Sequence, residues 1–153
     1  MKRSIEDRLL TARTHRAALD VAMTQFPPAF SLDALEAAWN SRDAAKANQA
    51  NALQGGFENV LNQLLEAAGE LCRLEGWAHG DSMPVALRKL KEQGVITETV
   101  RKDLAGAKEL WDGAQHAHPG VAAADFHEAV GLLIRSERDF AQDVQRWLAA
   151  HHP

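Results

Sequence analysis

The chain has no tyrosine and a single cysteine, and aromatic residues make up only 6% of its 153 positions. Each scarcity excludes something. Strand-rich domains lean on β-branched and aromatic side chains, so a chain poor in aromatics and rich in alanine favours helices. With Cys72 alone, no internal disulfide can close, and a reducing, cytoplasmic setting is expected. No stretch approaches the roughly 18 uninterrupted apolar residues of a membrane span, so no membrane partner is expected. The basic residues near Met1 have no apolar run behind them, so no signal peptide is expected. Nor is there a basic excess: 17 Lys and Arg stand against 21 Asp and Glu, a formal net charge of −4. That argues against a general nucleic-acid binder while leaving a local basic face open. Gly-rich phosphate loops, nucleophile elbows and cysteine-based zinc patterns are missing.

What is present is ordinary core-forming material, 46% hydrophobic and 25% charged, over a length that suits one domain spanning 1–153. Periodicity divides it into helices. Ile5, Leu9 and Ala12, then Ala18, Val21 and Ala22, mark a first helix from about Ser4 to Gln25, stopped by Pro27-Pro28. Ser31 caps a short helix through Leu32, Leu35 and Trp39, and a polar run follows from Asn40 to Asp43. One long helix runs from Ala44 to Glu75, weakened at Gly55-Gly56, where each glycine costs roughly 1 kcal/mol against alanine. Its apolar stripe is Phe57, Val60, Leu61, Leu64, Ala68, Leu71 and Cys72.

After a loop from Gly76 to Asp81, Ser82 caps a helix with Pro84 in its first turn, and Gly94 closes it as a left-handed cap. Thr97 caps the next helix, which buries Val100, Leu104, Ala107 and Trp111 and ends by Pro119-Gly120. Asp125, paired with Glu128 in a capping box, opens the last helix. Phe126, Val130, Leu133, Phe140, Val144 and Trp147 form its stripe, and Glu137 interrupts it. Glu137 is either an edge residue reaching water or a paired acid facing a site or a partner. The expected fold is all-α, an up-and-down helical bundle of four to five main helices.

The chemistry concentrates between Glu109 and Gly120. Lys108, Asp112 and His116 are four apart and share a helix face. Asp112 accepting a hydrogen bond from His116 would fix its tautomer and give an oriented acid or base near neutral pH. Lys108 would hold a phosphate or pair with Asp112, and Gln115 adds an amide. The same spacing equally describes a surface ladder that adds little beyond local helix stability. Trp111 is a core residue or a stacking platform. His116, His118 and His127 approach a metal-ligand pattern, but no Glu-x-x-His pair supports it, so neither metal nor cofactor is expected. His15 and His79 read as lone surface histidines.

Three features carry a resemblance: the long helix from Asn51 to Glu66, the segment from Ala86 through Leu90 to Gly94-Val95-Ile96, and a following helix that runs into a histidine. Together they resemble the HEPN superfamily, and within it the HepT-like toxins of toxin–antitoxin pairs. The family's Arg-Asn-x-x-x-His motif falls on Trp111 to His116. Histidine is kept as His116, asparagine appears as Asp112, arginine is replaced by Trp111, and a frequent tyrosine position holds His118. The resemblance implies metal-independent RNA cleavage at a site built across a dimer, with histidine moving protons and arginine steadying phosphate charge. It also implies a homodimer and a cognate antitoxin or nucleotidyltransferase-like partner.

Losing the arginine removes electrostatic stabilisation, usually a large part of catalysis. Asp112 places negative charge where a phosphodiester must come. Lys108, Arg101 and Lys102 are the candidate replacements. The expectation is therefore a degenerate HEPN-like binding or partner module, with Trp111 and the histidine-rich turn as its recognition surface. The alternatives are a ribonuclease using His116 and a purely structural bundle. The stripes Phe57–Leu71 and Phe126–Trp147 look more apolar than one short bundle needs, which a two-fold dimer would satisfy.

Overall fold

The computed structural model describes residues 1–26 and 30–153. Among the described residues it consists of helices, with no strand: α1 (Lys2–Met23), α2 (Leu32–Trp39), α3 (Ala44–Glu75), α4 (Met83–Glu92), α5 (Glu98–Ala114) and α6 (Pro119–His151). No helix is long and apolar enough to cross a membrane among these residues.

The helix starts follow from local hydrogen bonding. Ser31 Oγ accepts from Ala34 N at 3.1 Å, Asp43 Oδ1 from Ala45 N at 2.8 Å, and Thr97 Oγ1 from Val100 N at 3.2 Å. Each satisfies a donor that the first helical turn leaves free. At the other end, α3 stops on Gly76 (φ 75°), and the turn after α4 passes through Gly94 (φ 80°), backbone that glycine adopts without steric cost.

Contacts between distant residues set the directions. Ser4 Oγ donates to Glu70 Oε2 at 2.9 Å and Arg8 Nε to Glu70 Oε1 at 2.8 Å, while Leu19 lies against Gly56, so α1 and α3 are antiparallel. A Cβ at Gly56 would sit 3.4 Å from Leu19 Cα, so the two helices are in direct contact there and a side chain larger than alanine would meet α1. α5 and α6 are also antiparallel, with Asp103 against Ser136 and Gly106 against Leu132. Phe57 packs on Phe126 and Trp77 on Trp147, which makes α3 and α6 parallel. The result is an up-and-down arrangement of α1, α3, α5 and α6, with α2 and α4 filling its sides.

Phe57, Leu64, Leu71, Phe126, Val130, Phe140 and Val144 are fully buried within one chain. The apolar surplus that suggested a dimer is thus consumed internally. Large exposed apolar side chains remain at Met1, Leu10, Val21 and Val121.

Several expectations need correction. α6 begins at Pro119, not Asp125. His118 caps it, its Nδ1 accepting from Gly120 N at 3.4 Å, and Pro119 occupies a first-turn position where its missing donor costs nothing. Asp125 and Glu128 lie inside the helix. The buried residue in the second half of α1 is Leu19, with Ala18 and Val21 exposed, because the core side of the helix continues on the Ile5–Leu9–Ala12 line. α1 ends at Met23, and the proline pair expected to stop it lies outside the described residues. α3 runs unbroken through Gly55-Gly56.

Glu137 is buried rather than an edge residue reaching water, and it is paired neither at a site nor with a partner chain but with Arg16 of α1, whose Nη1 donates to it at 3.3 Å. His79 is buried rather than exposed, because the loop after α3 folds back on that helix and brings His79 beside Gly69. Its Nε2 has no hydrogen-bond partner among the described residues.

Candidate functional site

The stretch singled out in the sequence spans the last turns of α5, a short turn, and the start of α6. Lys108 Nζ lies 2.7 Å from Asp112 Oδ1, an exposed pair one turn apart. His116 falls beyond the helix. Its backbone N–H bonds to Gly113 O, three residues back, so the winding tightens there. That moves the imidazole off the line of Asp112, and no hydrogen bond joins the two among the described residues. The carboxylate expected to orient His116 is held by Lys108 instead.

Arg101 is not brought to His116. It sits near the start of α5, with Nε 2.8 Å from Glu98 Oε2, and holds the Glu98 carboxyl below its usual value chiefly through that bond. At 1.5 Å rise per residue the helix separates it from His116 by roughly 20 Å. His118 serves as the α6 cap. His127 stacks on Phe30, with ring centroids 4.9 Å apart, rather than joining His116 and His118. Among the described residues no three His, Cys, Asp or Glu side chains gather as a metal-ligand group. Trp111 is buried, its ring 5.7 Å from Phe57 and 5.1 Å from Phe126, so its main role is packing.

Beside this turn lies a solvent-open cleft of about 570 Å³. One wall is a face of α3: Asn51, Gln54, Gly55 and Glu58, spaced as successive neighbours on a helix. The other wall is Ala114, Gln115, Ala117, Pro119 and Ala122. Trp39 and Trp111 complete the lining, and both rings pack on Phe126. The volume is within the range of small-molecule sites. Three amides and one carboxylate line it, and among the described residues no Lys, Arg or His does.

Of the residues picked from sequence, Trp111 and Gln115 reach this cleft. Trp39, Asn51, Gln54, Gly55 and Glu58 were missed. No local signal marks them: Gly55 is a helical glycine whose Cβ would meet nothing within 4 Å, but Gly113 and Gly131 share that and lie outside the cleft lining.

The fold and the cleft together define an all-α bundle with a polar, cation-free recess against the α5–α6 turn. Comparison with protein-family models, curated proteins and solved structures found no match.

Proposed function

We propose that the chain is a HEPN-like binding module without nuclease activity, and that the cleft between α3 and the α5–α6 turn is its binding site. One observation carries this reading: among the described residues the recess beside His116 is lined by a carboxylate, Glu58, and by no basic side chain. Binding and cleaving RNA requires cations against the phosphates, both for affinity and for the charge that develops on cleavage. Lys108 is engaged by Asp112, and Arg101 is engaged by Glu98 at a distance. The resemblance to HepT-like proteins supports a role in a toxin–antitoxin or defence-type system. An antitoxin or nucleotidyltransferase-like protein is the partner it implies, and a homodimer is the assembly.

The test is RNA cleavage by the purified chain in EDTA, beside His116→Ala. The expected result is no cleavage above the variant's background. Cleavage that disappears in the variant overturns this reading and establishes a metal-independent ribonuclease. Sedimentation at micromolar concentration reads the assembly: a monomer removes the shared-site arrangement.

A further inference from the structure

We infer that the cleft takes a small organic cation, an amine or guanidine, with Glu58 as its counter-charge. This deepens the binding-module reading and rests on it. Among the described residues Glu58 is the one charged side chain in the lining, so a cationic ligand meets attraction where an anion meets repulsion. Asn51, Gln54 and Gln115 each present a carbonyl that accepts from an N–H donor. Trp39, which is half-buried, supplies indole surface, the aromatic surface that attracts cations most strongly, while the buried Trp111 closes the floor beside it.

Gly55 leaves the α3 wall open beside Glu58. A glycine in a helix interior costs roughly 1 kcal/mol against alanine. A Cβ at Gly55 would meet nothing within 4 Å, as is also true at Gly113 of α5 and Gly131 of α6, whereas one at Gly56 would touch Leu19. It lies on the cleft wall between Gln54 and Glu58, and any longer side chain there would project into the recess. The missing side chain keeps the cleft open next to its one charge.

The experiment uses the whole chain, labelled with ¹⁵N, and agmatine as probe. Each of the four tryptophans contributes an indole N–H signal. Trp39 and Trp111 line the cleft, while Trp77 and Trp147 pack against each other elsewhere, 5.6 Å between ring centroids, and serve as internal controls. The expected result is a saturable shift of the Trp39 and Trp111 signals alone. Glu58→Gln weakens binding about tenfold or more, the loss of roughly 1.4 kcal/mol. Gly55→Leu abolishes the shifts while its helical circular dichroism matches the wild type.

Unmoved signals, equal movement of all four, or unchanged affinity in Glu58→Gln overturn the assignment. None of these bears on RNA cleavage in EDTA, so the cation assignment and the absence of nuclease activity stand or fall separately.

Discussion

Ser136 Oγ donates a 2.6 Å hydrogen bond to Asp103 Oδ2 across the α5–α6 contact, with both side chains buried. Arg135 Nε donates to the same oxygen at 2.9 Å, from a side chain that is largely exposed. The buried half of this arrangement carries its energy, since the exposed guanidinium is screened by water.

Asp103→Ala leaves the Ser136 hydroxyl without a partner in the core. The expected loss is about 2–4 kcal/mol, the range for removing a buried charged acceptor. Ser136→Ala alone costs roughly 1 kcal/mol. The double variant costs less than the sum, because the second substitution removes the group the first one stranded. Urea denaturation of the four proteins closes the cycle.

Asp103 and Glu137 respond to pH in opposite senses. The bonds from Arg135 and then Ser136 hold Asp103 below the usual carboxylate value, against the opposing effect of burial. Its contribution is complete above the unfolded value of about 3.9 and is lost as pH falls through the folded value. Burial pushes Glu137 above its usual value, against the opposing pull of Arg16 and Arg138, and Asp20 adds to the rise. The folded state then holds its proton longer, so stability declines as pH rises from the unfolded value of about 4.3 through the folded one. Urea midpoints measured across the acid range should show both limbs. Glu137→Gln shrinks the descending limb to the part contributed by Asp143, which burial also raises, and leaves the acid loss caused by Asp103.

The adjacent glycines of α3 separate by environment. Gly55→Ala is expected to raise stability by about 0.5–1 kcal/mol, since the helix gains and nothing clashes. Gly56→Leu must push atoms into the α1 backbone at Leu19 and is expected to cost about 1–3 kcal/mol. Thermal unfolding of the two variants should move in opposite directions.

Much of the helical frame was legible because its signals are local. Ser31, Ser82 and Thr97 cap helices where their hydroxyls meet the first free donors, and the 3.6-residue stripe from Phe57 to Leu71 places α3 without outside help. The start of α6 was misread because Asp125 and Glu128 match a capping box inside a helix already begun by His118 and Pro119. Glu137 and His79 depend on what folds over them, Arg16 from α1 and the loop after α3, which periodicity along one helix does not carry. The cleft was half visible for the same reason. Its α5–α6 wall lay in the stretch richest in histidine and tryptophan, whereas its α3 wall is an unremarkable polar face that matters only because the turn packs across from it.

Phe126 of α6 receives the rings of Trp39, Phe57 and Trp111, which come from α2, α3 and α5. On the ribosome these three aromatic side chains emerge before the ring they pack against. α1 and α3 are free to pair early, but α2 and α5 stay partly uncovered until α6 is made, the interval in which a nascent chain is most prone to stray association. Biogenesis of this bundle therefore hinges on its latest-made helix, and a stalled chain ending before Pro119 is a natural client for a chaperone.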